Sequence, residues 1–387
     1  MAATELIWKM FHNSTRSLDN YLNVRQVLAV KKMIKGICKN WTTVLQKLRE
    51  KETWITASKF RESLSFHLGN IDLSNLLHDM TKKAIKKTKS YRGYTILSGD
   101  ASDIFKPHAQ AMQGISCIRD WSTGLLWNWY ILYWININGI THQIDVLDHT
   151  KEYIWTEKWE EMLIKSASII NPKQTIWIFD RWHDDIWFID ILHDLDYHYV
   201  VRWRKNRIVM LADTWKQAKV WWLWLWKRKV TLGYWTNCFL YIVKWIAKDP
   251  VILYSDIDFE IGEECLEIYL KRRQIELDYN KMKSFWLEHV RLMSVKKIQS
   301  IIHIIQYIIM FWQICFNEIQ EGLKSIPYKL AVLYKQYCKK AKKTMNPTSL
   351  LTFVSIYISW FVVYNTSQIP AITLFGNRRK MKKVGLI

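Results

Sequence analysis

The chain predicts an α+β fold: a mixed sheet flanked by helices, with a helical unit before it, a β-rich insertion within it and a helical layer after it. Three observations carry this expectation. Apolar residues recur at helical spacing near both ends of the chain. Short apolar runs divided by turn residues fill the middle. Two of those runs, YTIL at 94–97 and TIWIF at 175–179, lead directly into segments rich in Asp.

The elements follow in order. Residues 1–92 read as a basic helical unit. Apolar positions in YLNVRQVLAVKKMIKGI (21–37) recur at three and four, and Thr42 to Leu48 begins another helix behind threonine caps. Such a unit could hold a helix-turn-helix for DNA, or serve only packing or dimerisation; the residues leave both open. Residues 93–295 read as a core. YTIL is expected to end near Asp100, with Asp103 as a turn or cap residue and His108 as structural. Strands are expected in ISCIRDW (115–121), LLWNWYILYWINI (125–137) and ITHQIDVLDH (140–149), with a hairpin turn at Asn138-Gly139. A helix near Thr156 to Ile170 follows, and then the fully apolar TIWIF, which suits a central buried strand ending in Asp180. DDIWFIDILHDL (184–195) reads as a helix, with Asp184 and Asp185 as its cap and first-turn acids, and YHYVVRWRKN (197–206) as a strand running into a basic loop. His183 is placed to hydrogen-bond a nearby acid, although a lone histidine is more often an ordinary satisfied polar residue.

Within the core, VTLGYW, CFLYIVKW and PVILYS make 206–258 a β-rich insertion whose basic loops could track a phosphate backbone or only cover a sheet edge. Glu263 to Glu288 reads as one helix. On it Tyr269, Arg272, Glu276 and Lys283, spaced by three, four and seven, share about 60° of arc. Charged stripes of this kind are usually solvated faces. Residues 296–387 read as an apolar helical layer broken at Pro327 and Pro347, ending in the basic tail GNRRKMKKVGLI.

Charge narrows the partners. The 387 residues carry a formal net charge of +21, spread over KKAIKKTK, RWRKNR, KRK, KRR, KKAKK and RRKMKK. A field of that sign suits nucleic acid, with steep salt dependence. The apolar stretches Ile301 to Phe316 and Leu350 to Tyr364 fall short of the ~20 residues that span a bilayer, so buried helices are expected and no membrane partner. The six cysteines show no metal-ligand spacing and the N-terminus no secretory pattern, which argues for a reducing cytoplasm.

Tryptophan is in excess, at 23 residues against 12 glycines. Trp41, Trp182 and the run 221–226 stand where turns or close packing would favour glycine. The expectation is that many of these positions are UGA codons read as glycine in the source; UGG codons there would end the idea.

GDASDIFKPHAQAM (99–112), WIFDRWHDD (177–185) and the Tyr, Arg, Glu, Lys spacing resemble, in that order, the three motifs of DDE transposases of the insertion-sequence-4 type. The resemblance spans roughly residues 95–320, with separations of 80 and 96 residues between the acids. It implies an RNase-H-like core in which Asp100, Asp180 and Glu276 are the catalytic, metal-binding carboxylates. It also implies two Mg²⁺ ions, with Mn²⁺ able to substitute, and DNA contacts from Tyr269, Arg272, Lys283 and Arg181. Small residues near Trp127, Trp129 and Trp182 are a further implication of the same resemblance. The implied partners are the terminal inverted repeats of the protein's own element and a target DNA, met by a homodimer in a prokaryotic cytoplasm. Two alternatives keep the same residues: a silent DNA-binding derivative, and an RNase-H-like nuclease that does not transpose.

Overall fold

The computed structural model describes residues 15–40, 43–48, 56–87, 91–105, 112, 128–136, 142–147, 155–204, 206–220, 227–232, 236–243, 250–285, 287–320, 335, 337–339 and 342. The expected strand at 115–121, His108, Trp41, Trp127, the 221–226 run, the second apolar stretch and the basic tail lie outside them.

Among the described residues, ten strands form one sheet in the order β3-β2-β1-β4-β5-β10-β9-β8-β6-β7. The half that matters for the site comprises β1 (Thr95–Phe105), β2 (Asn128–Asn136), β3 (His142–Leu147), β4 (Thr175–Phe179) and β5 (His198–Arg202). β1 to β3 are antiparallel neighbours, while β4 runs parallel to both β1 and β5. This is the RNase-H-like order. Within residues 206–258, β6 (Ile208–Leu211), β7 (Gln217–Lys219), β8 (Lys227–Leu232), β9 (Thr236–Val243) and β10 (Val251–Ser255) extend the same sheet from β5 outward, all antiparallel.

Alternation along the central strands builds two faces. Leu97, Trp177, Phe179, Tyr199 and Val201 point to one side, where α4 (Trp155–Ala167) and α5 (Ile186–Asp194) cover them with Trp159, Met162, Leu163, Phe188 and Leu192. Ile96, Ile176, Ile178 and Val200 point to the other, beneath Cys265, Leu266, Ile268 and Tyr269 of α6 (Gly262–Leu270). All five residues of β4 are buried, and each large apolar side chain so placed contributes on the order of 1.5–3 kcal/mol. Both faces of a central parallel strand must be covered, which is why TIWIF has no polar alternation.

The N-terminal helical unit supplies α1 (Val24–Asn40), α2 (Ala57–Leu68) and α3 (Ser74–Lys87). These share one core with α7 (Arg273–Ser284) and α8 (Val295–Gln320): Leu64, Leu68, Leu76, Ile275, Met282, Ile301 and Ile305 belong to a single buried cluster. Polar ties bind the same layer, since the Ser300 hydroxyl lies 2.8 Å from the Leu68 carbonyl oxygen and Thr43 N–H donates to Phe285 O at 2.8 Å. The apolar run from Ile301 to Met310 is buried, as expected of a core helix, and among the described residues no helix is long and apolar enough to cross a membrane.

The tryptophan expectation divides on contact with the structure. Trp159 and Trp177 are fully buried and pack against Phe179, so glycine there would open large cavities. Trp129 pairs with Ile104 in β2, and Trp182, though 74% exposed, is not among the residues with positive φ. Among the described tryptophans only Trp215 has that backbone, at φ 53°, in the β6–β7 turn, where its N–H donates to Leu211 O at 2.8 Å. The left-handed region costs a non-glycine residue about 1 kcal/mol, and the indole is 68% exposed, so little packing is lost with it. Trp215→Gly is therefore expected to stabilise the fold by about 1 kcal/mol, read as a rise in the urea midpoint. A fall would mean the indole holds the turn.

Candidate active site

Register fixes the first two acids. β1 pairs with β4 only from Thr95 to Ser98, where Ser98 faces Ile178. Two residues further on, Asp100 stands level with Asp180, in the first position beyond β4, on a neighbouring parallel line about 4.8 Å away. β1 itself continues to Phe105 against β2, so Asp100 lies within a long strand, not at its end as expected. It shares the face of Ile96 and Ile104, toward α6 and α7.

The helix expected over Glu263 to Glu288 is divided. Lys271 N–H, Arg272 N–H, Gln274 N–H and Ile275 N–H each donate to the carbonyl three residues earlier, so a tight 3₁₀ turn joins α6 to α7. The turn places Tyr269 on the α6 side and Arg272 and Glu276 on the α7 side, with Tyr269 still close enough to act on the Arg272 charge. Tyr269 falls on the α6 side, 7% exposed in the core, and its ring has no room to stack on a base. Arg272 and Glu276 open α7 and reach back to the sheet. Arg272 Nη1 lies 3.1 Å from Asp100 Oδ2, while Nη2 donates to Glu276 Oε1. One guanidinium thus bridges the first and third acids; burial works against its charge, and Tyr269, Asp100, Glu276 and Asp180 in that order outweigh it, so Arg272 stays charged.

The acid pair is polarised. Burial, and then the charge of Asp180, push the Asp100 carboxyl up to about 6, against the weaker pull of His183 and Arg272. Asp180 goes the other way. Burial would raise it, but the hydrogen bond and charge of His183 and the Trp182 N–H together hold it below the usual carboxylate range. Asp180 Oδ1 accepts from Trp182 N at 2.9 Å and lies 3.1 Å from His183 Nδ1. His183 is itself buried among Trp159, Phe179 and Phe188, so its ring is held for this contact by packing.

Of the remaining expected residues, Lys283 lies seven residues past Glu276 along α7, about 10 Å by helical rise. Its ammonium is 3.9 Å from Glu288 and sits over the Phe105 ring at 5.8 Å. Arg181 is exposed directly after Asp180. Two contributors were not expected. Tyr279, one turn after Glu276, donates its hydroxyl to the backbone oxygen of Asp100 at 2.6 Å and so pins α7 to β1. Its helical spacing from Glu276 was visible; its partner was not. Asp184, expected as a first-turn acid, is buried and accepts from Arg207 Nε and from Arg204 N, each at 3.1 Å, which folds the basic loop after β5 back beside Asp180. Asp185 alone caps α5, through Trp187 N–H.

Three carboxylates on adjacent elements are the hard oxygen donors that Mg²⁺ or Mn²⁺ takes. Among the described residues no three His, Cys, Asp or Glu stand close enough, as placed, to hold an ion. The Arg272 guanidinium lies between two of them and supplies the positive charge at their meeting point. The donor set fits a divalent cation in its chemistry, and as placed a side-chain cation stands between two of the donors.

No family model matches the chain, and no curated protein matches it. Among solved structures, one similar chain is that of the "Cryo-EM structure of piggyBac transposase synaptic complex with hairpin DNA (SNHP)", at 10% identity and a TM-score of 0.45, covering 98% of this chain and 82% of that one. That similarity is too low to carry an argument; the strand order stands without it.

Proposed function

We propose that the chain is a DDE transposase of the insertion-sequence-4 type, which cuts and joins the ends of its own element as a homodimer on DNA. The observation that supports this reading is the Arg272 guanidinium bridging Asp100 and Glu276, with Asp180 level with Asp100 in the first position past β4. The net charge of +21 supports DNA as the partner.

In this reading Asp100, Asp180 and Glu276 hold two divalent cations. When bound, such a pair activates the attacking oxygen and stabilises the departing one in phosphodiester hydrolysis. His183 keeps Asp180 ionised and oriented. Tyr279 fixes the strand that carries Asp100. Lys283 and Arg181, on either side of the acids, bind phosphates and align the strand. A 3′ hydroxyl freed by the first cut occupies the same position as the attacking group in strand transfer.

The test is incubation of purified protein with duplexes carrying its flanking inverted repeats and Mg²⁺ or Mn²⁺. Strand cleavage at the repeat end is the expected result. Asp100→Asn, Asp180→Asn and Glu276→Gln are each expected to lower it about a thousandfold, the several kcal/mol that charge stabilisation by the ions is worth. Binding without cleavage, unchanged across the three variants, would defeat the reading.

A further inference from the structure

We infer that Arg272 is an exchangeable counter-ion: it neutralises the acids in the resting protein, yields them to a divalent cation, and passes to a DNA phosphate. This rests on the metal-dependent reading above and assigns Arg272 a task beyond phosphate contact. Its side chain is 17% exposed and uses both terminal nitrogens on the acids, Nη1 on Asp100 Oδ2 at 3.1 Å and Nη2 on Glu276 Oε1. Those oxygens are the ones an ion between Asp100 and Glu276 would need, so guanidinium and ion exclude one another. Without either, a half-buried Asp100 would face Asp180 and Glu276 with no positive charge between them, a costly arrangement.

Two features allow the exchange. Arg272 sits at the 3₁₀ junction between α6 and α7, so its side chain leaves from a turn, not from the packed interior of a helix. Glu276 holds its end of the bridge with a side chain 50% exposed, so water and ions reach that side of the pair. A planar guanidinium that binds a carboxylate with two parallel donors binds a phosphate equally well. The consequence is linkage: phosphate that draws Arg272 away opens the acids to the ion, and the ion that displaces Arg272 frees it for phosphate. Metal and DNA then bind cooperatively, and the DNA-free protein takes metal weakly.

The experiment measures Mn²⁺ binding to the full-length protein by titration calorimetry and by loss of the free-ion magnetic resonance signal, with and without a duplex repeat end. Asp100→Asn identifies the binding that belongs to this site. Arg272→Gln is expected to bind Mn²⁺ about tenfold more tightly than the parent without DNA, the order of one charge-assisted contact removed. DNA is expected to tighten Mn²⁺ binding by the parent and not by Arg272→Gln. A fixed cation that only repels the ion would leave that coupling intact in the variant, and this result overturns the inference. So does Mn²⁺ binding by Arg272→Gln no tighter than by the parent. Absence of any Asp100-dependent Mn²⁺ binding in the parent overturns the metal-dependent reading itself, a distinguishable failure. Should Arg272→Gln not fold, the guanidinium nitrogen resonance of Arg272 in the parent decides. Mg²⁺ must shift it, and an unmoved resonance at saturation refutes the exchange.

Discussion

Asp100→Asn is expected to abolish cleavage and, in the same protein, to make the metal-free fold more stable. The ordinary expectation is the reverse, because the substitution breaks an ion pair with Arg272. The balance is set by burial: the carboxyl at Asp100 is pushed up to about 6 even with Arg272 beside it. The folded chain therefore binds more protons at this position than the unfolded chain between about pH 4 and 6. Stability falls as pH rises through that window, and the deficit is complete above it. A shift of about two units corresponds to about 3 kcal/mol at neutral pH. Asn cannot ionise, so it escapes the deficit, and a gain of about 1–3 kcal/mol is expected at pH 8 in the presence of a chelator. Below about pH 4 both side chains are neutral and the difference should vanish. Urea unfolding of parent and variant across pH 4–8 reads this directly. A variant less stable than the parent at pH 8 would show that the contact with Arg272 outweighs the burial of charge.

The same comparison explains which features were legible in the chain beforehand. TIWIF announced a strand buried on both faces because a central parallel strand has no solvent side, and its apolar run marks the end at which Asp180 stands, whereas β1 continues past Asp100 through polar residues that hid its length. The 3₁₀ turn at Lys271 and Arg272 was not legible. YLKRRQIE contains neither Pro nor Gly, so the turn follows from tertiary contacts, with Tyr269 of α6 packed on the sheet and Arg272 reaching Asp100. Likewise Asp184 looked like a helix-start acid because its partners, Arg204 and Arg207, come from the far side of β5, twenty residues or more along the chain. Strands β6 and β7 went unassigned because they are three or four residues long, too short for alternation to show. Charge patterning says nothing about which apolar face meets which, so the packing of the N-terminal helices on α8, more than two hundred residues away, was not legible.

Gly99→Ala is expected to damage both stability and cleavage, for a reason that precedes any chemistry. Gly99 is the residue before Asp100, and its side of β1 faces α4 and the ring of Phe179. A Cβ there would stand 2.4 Å from Phe179 Cε1 and 3.1 Å from Trp159 Cζ3. Neither ring can give way cheaply. Phe179 is fully buried, stacked on Trp177 with ring centroids 5.5 Å apart, and Trp159 is closed in edge-on by Phe179, His183 and Phe188. Overpacking of this kind costs about 1–3 kcal/mol, because rings leave their rotamers or the strand moves. Movement of the strand carries Asp100 away from the Asp180 line. Movement of the rings disturbs His183, which is held against Asp180 by those same rings. Either way the acids lose register, and a displacement of about 1 Å is enough to cost about a hundredfold in rate. Chemical denaturation gives the first number and the Mg²⁺-dependent cleavage assay the second. A Phe179→Leu change combined with Gly99→Ala should recover part of the stability by making room for the methyl group, at the cost of the stacked ring. If Gly99→Ala instead unfolds at the parent's urea midpoint, the absence of a side chain at this position has no packing cause, and the closeness of β1 to the α4 layer is not what sets the position of Asp100.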